Sequence, residues 1–350
     1  MSTLRVGVIG LGVGRGHVRG YQSHPQAEVV ALADTDAERL AQIGDEYGVS
    51  GRYQDAQKML DKEQLDVVSV ATPNKLHMPL SVAALEAGCH VLCEKPMAMN
   101  AQEGQQMLDA AAKAGTRLMI NFSYRFTDQS WVLKKQVDDG FLGDVYFART
   151  MWMRRIGMPK FGGWFGSKEM SGGGPLIDLG VHRIDLALWL MGYPEPEYVL
   201  GRTYNPIATR LARAQGKKFD VEDLAAAFVT FTNGASMEIT ASWASHIAER
   251  ELMETRLLGT EGGLVQRNRN GTYEFEAMLF EERNGCHFDL HLAPPYPSPG
   301  SSMYHFIDAI VNDTPHTATG EEGLIVMKLL DAIYKSAADG APVHVAGATC

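Results

Sequence analysis

One segment of this sequence brings together side chains that could move a proton. In GGGPLIDLGVHRID, Asp178, His182 and Asp185 follow one another at i, i+4 and i+7, which places them within ~60° of each other on an α-helix. A carboxylate beside a histidine fixes its tautomer and raises its basicity, as a general base requires. The preceding triple glycine would let the backbone approach a ligand closely. Two alternatives remain open: a capping Asp178 with a core histidine, or a metal site, which would want further carboxylates or a second histidine.

A lysine occupies a second position with chemical potential. Lys95 stands in Glu94-Lys95-Pro96 after the apolar run HVLC, and Thr72 and Asn74 stand in ATPN after the run LDVVSV. Both turns are predicted at the carboxyl ends of parallel strands, the edge where open α/β sheets bind ligands. The proline restricts Lys95 to extended backbone and is compatible with a cis Lys-Pro bond. Position alone leaves an ordinary exposed lysine as an equal alternative.

A glycine-rich loop follows the first strand-like run. There, backbone N–H groups of Gly10, Gly12, Val13 and Gly14 could meet a dinucleotide pyrophosphate at the start of the first helix. The usual G-x-G-x-x-G spacing would put its third glycine where Arg15 stands, so Gly14 or Gly16 must substitute.

The expected acidic partner of this loop is also present. Asp34 lies 24 residues after Gly10, at the end of the second strand-like run, where a carboxylate can accept hydrogen bonds from the adenosine ribose. Asp36 adds negative charge, and no basic residue follows until Arg39. Because these carboxylates would repel a ribose 2′-phosphate, the sequence favours NAD over NADP. The alternative is a tight turn with a solvated aspartate.

A parallel sheet is needed to bring these motifs to one edge, and the pattern of the first third predicts one. Short apolar runs alternate with helical stretches up to Phe122, which indicates a doubly wound α/β sheet. From about Glu195 the chain reads mostly as strands, with hairpin signals at Asn233-Gly234 and Asn270-Gly271. We therefore predict a dinucleotide-binding domain over 1–122, a substrate-binding and oligomerisation α+β domain over 123–300, and a helical segment over 301–350 that packs back towards the first domain.

Composition excludes several classes of protein. The 350 residues are 45% hydrophobic and carry a net charge of −10 without basic clusters, which argues against disorder and against nucleic-acid binding. The start MSTLRVGVIG resembles no signal peptide, and no apolar stretch approaches the ~18 residues of a membrane span. The four cysteines form no disulfide framework. We expect a cytoplasmic protein with no membrane partner and no bound metal.

Taken together, the motifs are similar to those of a known family. The glycine loop, Asp34, ATPN, EKP, the YRF at 124–126 and SGGGPLIDLGVHRIDL at 171–186 resemble the Gfo/Idh/MocA family of glucose-fructose oxidoreductase and inositol dehydrogenase. The resemblance spans essentially the whole chain. It implies a Rossmann domain followed by a domain with a large, mostly antiparallel open sheet, whose outer face commonly forms homodimers or homotetramers.

The resemblance also implies a chemistry and roles for particular residues. It implies oxidation or reduction of a sugar, sugar derivative or cyclitol at a secondary alcohol with NAD, and Lys95, Asp178 and His182 match the catalytic group of the family. Thr72, Asn74, Glu94 and Lys95 are expected near the cofactor. The residues expected to flank the substrate cleft, besides Asp178 and His182, are Tyr124, Arg125, Trp152, Arg154 and Trp164. Core packing of the tryptophans and surface ion pairs of the arginines are the alternatives.

Two rival functions use the same architecture. Some relatives hold NAD tightly, oxidise a sugar hydroxyl transiently, eliminate an aglycone and reduce the sugar again. An NAD-dependent glycosidase, including one that acts on an anionic sugar, is therefore the alternative to a dehydrogenase. Only the dehydrogenase forms NADH stoichiometrically. A non-catalytic NAD-binding regulator is a third function, but such a protein has no need of Lys95, Asp178 and His182.

Overall fold

The computed structural model describes residues 3–345. These residues form two compact units, each described by itself below: one runs to Ser123 and takes up again at Gly300–Met327, and the other holds Tyr124–Pro299 and the chain from Lys328 onward. The last residues of the predicted C-terminal segment, with Cys350, lie outside the described residues.

The first unit is built on a six-stranded parallel sheet in the order β3-β2-β1-β4-β5-β6. Its strands are β1 (Leu4–Ile9), β2 (Ala27–Ala33), β3 (Gly51–Tyr53), β4 (Val67–Val70), β5 (His90–Cys93) and β6 (Leu118–Ile120). Its helices are α1 (Leu11–Gln22), α2 (Ala37–Tyr47), α3 (Ala56–Lys62), α4 (His77–Glu86), α5 (Ala101–Ala114), α10 (Ser302–Val311) and the first part of α11 (Gly320–Asp339). The predicted doubly wound sheet is confirmed.

The sequence marks the ends of these helices. Asp36 and Asn100 cap α2 and α5 by accepting backbone N–H bonds in the first turn, and Gly48 and Gly115 end the same helices in the left-handed conformation that glycine adopts without a steric penalty. The helices therefore stop where the turn to the next strand begins, which fixes where each parallel strand enters the sheet.

The second unit is built on a nine-stranded sheet in the order β14-β13-β12-β11-β7-β10-β9-β8-β15, antiparallel except between β7 and β10. Its strands are β7 (Val145–Arg154), β8 (Pro196–Tyr204), β9 (Leu224–Phe231), β10 (Ser236–Ser242), β11 (Glu251–Gly259), β12 (Gly262–Asn268), β13 (Phe275–Arg283), β14 (Cys286–His291) and β15 (Val343–His344). Its helices are α6 (Asp128–Asp138), α7 (Lys168–Ser171), α8 (Val181–Met191), α9 (Pro206–Ala214) and the rest of α11. The predicted open, mostly antiparallel sheet is confirmed.

One face of this sheet carries the core of the second unit. Side chains in β11 alternate between buried and half-buried, as period-2 strands with one covered face do. α8 packs on β7 and β11, and every residue from Val181 to Leu190 is buried. This covered face positions the start of α8, which carries His182, and the turn before it, which carries Asp178.

Both predicted hairpin turns join antiparallel neighbours. Asn233-Gly234 connects β9 to β10, and Asn270-Gly271, with φ values of 52° and 66°, connects β12 to β13. A further turn at Asn284-Gly285, with φ values of 54° and 75°, leads into β14. The region after Glu195, predicted to be mostly strands, also contains one helix that the sequence analysis did not identify, α9 between β8 and β9.

Candidate active site

The glycine loop forms the turn from β1 into α1. Gly10 has a φ of 85°, and a Cβ there would lie 2.6 Å from the Ala71 carbonyl oxygen. Only glycine therefore fits at this position, where the chain leaving β1 passes the end of β4. A Cβ on Gly14 would lie 3.0 Å from a Val8 methyl group, whereas one on Gly12 would meet no described atom within 4 Å. Gly14 therefore provides the close helix-strand contact, and the space over Gly12 is open.

Asp34 ties the end of β2 to this turn. Its Oδ2 atom accepts a hydrogen bond from the Leu11 backbone N–H at 2.7 Å and one from Arg39 Nη1 at 3.2 Å, and its Oδ1 accepts from the Asp36 N–H at 2.8 Å. Arg39 also pairs with Asp36 at 3.1 Å. The acid predicted to face a ribose thus holds a guanidinium beside it, which the sequence pattern did not reveal.

A buried histidine joins the two predicted strand-end turns. His77, at the start of α4, lies within hydrogen-bond distance of two carbonyl oxygens: Nδ1 is 2.7 Å from Pro96 O, and Nε2 is 2.8 Å from Thr72 O. Burial lowers the pKa of His77, and the two carbonyl acceptors oppose this. Asn74 is buried beside it at the start of a short 3-10 turn. His77 therefore fixes the spacing of the ATPN and EKP turns, a role that sequence reasoning missed.

Glu94 is the centre of a second buried network in the first unit. Its Oε1 atom accepts hydrogen bonds from Asn121 Nδ2 at 2.5 Å and lies 2.9 Å from His17 Nε2. Ser69 and Ser302 extend the network to β4 and α10, at 2.6 Å from His17 Nδ1 and from Asn121 Oδ1.

This network keeps Glu94 ionised, and Glu94 in turn holds the backbone of the next residue in place. Burial raises the pKa of Glu94, but hydrogen bonds and charge from His17, the Lys95 charge and Asn121 outweigh it and lower the pKa to about 2. The other carboxylate oxygen accepts from the Lys95 backbone N–H at 3.1 Å, and the Lys95-Pro96 bond is cis. A charged, hydrogen-bonded Glu94 thus holds the backbone that carries the half-buried Lys95.

Replacing Glu94 by Gln is expected to lower the free energy of unfolding at pH 7 by on the order of 3 kcal/mol, given a pKa shift from 4.5 to about 2. Because the pKa is lowered on folding, this contribution is present above pH 4.5 and is lost as the pH falls towards 2. Urea unfolding should show the difference between parent and variant shrinking to roughly half at pH 3. Glu86→Gln, at an exposed position, is the control, and an unchanged difference at both pH values would contradict the prediction.

In the second unit, the triple glycine admits other parts of the chain. A Cβ on Gly173 would lie 2.0 Å from the Tyr334 hydroxyl, and one on Gly174 would lie 2.1 Å from the Glu222 carbonyl oxygen. The Glu222 carboxylate accepts from the Gly174 and Leu176 N–H groups at 2.9 and 3.2 Å and from Tyr334 at 2.8 Å. Burial raises the pKa of Glu222, and these donors oppose the rise. The close approach that the glycines allow is therefore to Glu222 and Tyr334, which anchor the helix start.

The helix that carries the predicted acid and base begins with a π turn. Leu176–Gly180 is π-helical, with the Val181 N–H bonded to the Leu176 carbonyl, and continues as α8. A π turn inserts an extra residue. The separation of ~60° around the helix that regular α-helical spacing predicts for Asp178 and His182 therefore does not apply. Asp178 Oδ2 accepts from Trp243 Nε1 at 2.9 Å, a partner 65 residues away that sequence spacing does not indicate.

The predicted trio does not act as one cluster. Asp185 is fully buried and receives a bidentate ion pair from Arg125, with Nε at 2.9 Å and Nη2 at 2.6 Å, and a hydrogen bond from Tyr193. Arg125 itself is 0% exposed, so the expectation that it contacts substrate is not supported: its guanidinium is committed to Asp185. Among residues 3–345, no group of three His, Cys, Asp or Glu side chains is arranged to hold a metal ion.

Aromatic side chains surround His182. The Tyr124 and Trp152 ring centroids lie 5.0 and 5.7 Å from the imidazole centroid, and His182 is 9% exposed. Glu251 fixes Trp152, because its Oε1 accepts from Trp152 Nε1 at 2.6 Å and from Arg154 Nε at 2.7 Å. Sequence reasoning missed Glu251, whose place in a strand gave no signal.

The remaining predicted substrate residues differ in setting. Trp152 is 3% exposed and belongs to the core cluster of this unit, whereas Trp164 is half-buried and stacked on Phe165 with 3.8 Å between centroids. Arg154 is half-buried against Glu251. The predicted cofactor residues and Lys95 lie in the first unit, and Tyr124, Trp152, Arg154, Trp164, Asp178 and His182 lie in the second.

Comparison with known proteins places this architecture. Residues 4–122 match the Gfo/Idh/MocA family described as an oxidoreductase family with an NAD-binding Rossmann fold, and residues 134–345 match its C-terminal alpha/beta domain. D-glucoside 3-dehydrogenase of Escherichia coli is 33% identical, covering 98% of both chains, and myo-inositol 2-dehydrogenase of Thermotoga maritima is 25% identical, covering 95% of this chain and 96% of the other.

Solved structures agree with this assignment. Levoglucosan dehydrogenase in complex with NADH superposes with a TM-score of 0.85 at 25% identity, covering 98% of this chain and 99% of the other. No helix within residues 3–345 has the length and apolar character to cross a membrane. The resemblance carried by the motifs is confirmed: the chain belongs to the Gfo/Idh/MocA family of oxidoreductases and carries that family's NAD-binding Rossmann domain.

Proposed function

We propose that this protein is an NAD-dependent dehydrogenase that oxidises or reduces a secondary alcohol of a sugar, a sugar derivative or a cyclitol. The observation that carries the proposal is the environment of His182, a nearly buried imidazole at the start of α8 that packs against Tyr124 and Trp152. Four residues before it, Asp178 is held by a hydrogen bond from Trp243. The relatives are named for activity on a glucoside, on myo-inositol and on levoglucosan, and these names support a polyhydroxylated substrate.

The first unit fits NAD. Space over Gly12 is open where α1 begins, the Thr72 hydroxyl is buried with no partner among residues 3–345, and the Asp34 carboxylate lies at the end of β2. A helix N-terminus and open backbone suit a pyrophosphate, and a carboxylate suits ribose hydroxyls. We propose that Gly10, Gly12, Val13, Gly14, Asp34, Thr72, Asn74, Glu94 and Lys95 form the cofactor site. When bound, NAD accepts the hydride that leaves the substrate carbon.

In the proposed mechanism, His182 accepts the proton of the reacting hydroxyl through its imidazole. The Lys95 ammonium stabilises the negative charge that develops on that oxygen, as a fixed cation does most effectively away from water. Asp178 orients His182 or binds a neighbouring hydroxyl, and Trp243 holds its carboxylate in place. Tyr124, Trp152, Arg154 and Trp164 are the proposed substrate contacts, and Arg125 is left out because it is buried with Asp185.

The proposal is tested by gentle purification, mass spectrometry of the denatured protein for retained NAD, and a screen of sugars, cyclitols and glycosides. The expected result is one NADH formed per substrate oxidised. Release of an aglycone without net NADH would instead identify an NAD-dependent glycosidase. NAD binding with no turnover on any member of the screen would contradict both enzymatic functions and favour the NAD-binding regulator.

Asp34 is expected to select NAD over NADP. In Asp34→Ala the carboxylate disappears while Arg39 stays next to the ribose end of the site, so the Michaelis constant for NAD should rise and that for NADP should fall. Asp34→Asn, which keeps an acceptor for the Leu11 N–H but removes the charge, separates loop geometry from repulsion. Initial rates with both cofactors measure the effect, and equal use of both by the parent would contradict the assignment.

We also propose a cytoplasmic homodimer or homotetramer. Exposed apolar side chains occupy one face of neighbouring strands in the second unit: Tyr198, Leu200 and Tyr204 in β8 alternate with buried positions, and Phe228 in β9 lies opposite Leu200. A row of large apolar side chains of this kind is typical of a surface covered by a partner. The buried thiols of Cys89 and Cys93 suit a reducing compartment.

A further inference from the structure

Arg183, which follows His182 in α8, is a buried cation that the proposed mechanism does not use. Its side chain is 0% exposed. Nη1 donates to Gln266 Oε1 at 3.0 Å, and among residues 3–345 neither Nε nor Nη2 has a hydrogen-bond partner. A buried charge without a hydrogen-bonded carboxylate is costly in folding free energy. The position therefore requires a physical explanation.

Aromatic rings, and no hydrogen-bonded carboxylate among residues 3–345, contact the guanidinium. The guanidinium carbon lies 4.6 Å from the Tyr124 ring centroid and 4.9 Å from that of Phe275, distances at which the π faces attract a cation. Although burial lowers the pKa of Arg183 to about 10, the group stays charged at neutral pH. This arrangement stabilises the positive charge and leaves its field in place.

The His182 imidazole packs on the same tyrosine. Its centroid is 5.0 Å from that of Tyr124, so the guanidinium lies at most about 10 Å from the imidazole. Positive charge at that range disfavours a second positive charge, and the low polarity of the aromatic surroundings provides little screening.

The second unit also holds the charged side chains of Glu251, Arg154 and Asp178. Glu251 is paired with Arg154 and also accepts from Trp152 and Tyr273, so that pair adds little net charge. Asp178, one turn before His182, favours the protonated imidazole, and the phenols of Tyr124 and Tyr273 are neutral because burial raises the pKa of each. Arg183 is thus a positive group of the second unit that acts against Asp178.

We propose that Arg183, held against Tyr124, is a positioning residue that keeps the His182 imidazole uncharged and ready to accept a proton. The inference rests on the proposed role of His182 as the base. In this role the fully buried Arg183 side chain sets the pH range in which that base works.

The test is a titration of His182 in the intact protein by NMR with ¹³C-labelled histidine, with the His182 signal identified by its absence in His182→Asn. Arg183→Met should raise the pKa of His182 by about one unit, given a unit charge removed from about 10 Å at an effective dielectric constant near 20. The acid limb of the pH–rate profile should move to higher pH by the same amount. Arg183→Lys, which keeps the charge, should leave the pKa near that of the parent.

A second variant covers the case in which Arg183→Met does not fold. Gln266→Glu leaves Arg183 in place and puts a carboxylate on Nη1, so it should also raise the pKa of His182. An unchanged pKa in every folded variant that loses or neutralises the charge would overturn the inference. A raised pKa in a protein whose turnover does not depend on His182 would confirm the electrostatic effect and reject the proposed base, so the two failures are distinguishable.

Discussion

Replacing His182 by Asn is expected to remove most of the turnover, together with the acid limb of the pH–rate profile, while the fold and cofactor binding persist. The proposed base must be unprotonated to accept the hydroxyl proton, so oxidation by the parent should fall as the pH drops through the pKa of the coupled His182–Asp178 pair. Asparagine fits the nearly buried site but cannot take up a proton at neutral pH. The residual rate of the variant should therefore be independent of pH in that range.

The comparison is best made on the chemical step. Single-turnover reduction of bound NAD separates proton transfer from product release, which could otherwise mask the loss. His246→Asn, the same change at an exposed histidine of the same unit, should leave both rate and pH profile unchanged. A His182→Asn protein with the parental rate and profile would leave His182 as a core residue and make Lys95 the next candidate. Tyr124 is less suited, since burial raises its pKa.

Replacing Lys95 by Ala is expected to lower turnover by ~10²-fold or more with little change in cofactor affinity. A fixed cation next to the reacting oxygen stabilises charge that exists mainly in the transition state, and loss of one such group typically costs this much. The backbone of Lys95 is held by the Glu94 carboxylate, which is itself fixed by His17 and Asn121. The ammonium is thus carried on a rigid turn, and truncating the side chain should leave that turn in place.

Two measurements distinguish catalysis from binding. Fluorescence titration with NADH reports cofactor affinity, and steady-state rates report turnover. Lys75→Ala, at the exposed lysine that follows the ATPN motif, is the matched control and should change neither. If Lys95→Ala binds NADH normally and keeps full turnover on every active substrate, Lys95 is structural, and another donor must stabilise the oxygen.

The sequence by itself determined the two folds and the order of the motifs. Alternating apolar and helical stretches produce parallel strands because the helix in each crossover carries the chain back to the end of the sheet where the previous strand began. The carboxyl ends of β1, β2, β4 and β5 could therefore be identified in advance. Asn-Gly pairs marked hairpins because both residues tolerate positive φ, and the pair at Asn284-Gly285, overlooked in the strand-rich region, carried the same signal. These features depend on neighbours within a few residues.

Only the tertiary structure decided which polar groups meet. Asp185, predicted to act with Asp178 and His182, instead pairs with Arg125, 60 residues away. Glu222 binds the backbone of Gly174, 48 residues before it. His17 reaches Glu94 across 77 residues. Such pairs carry no periodic signal, since a buried polar atom needs a partner of the right kind but the chain does not encode locally which segment will supply it. The π turn before α8 depends on distant segments in the same way. Glu222 holds its backbone and Trp243 holds Asp178, both from loop positions next to strands.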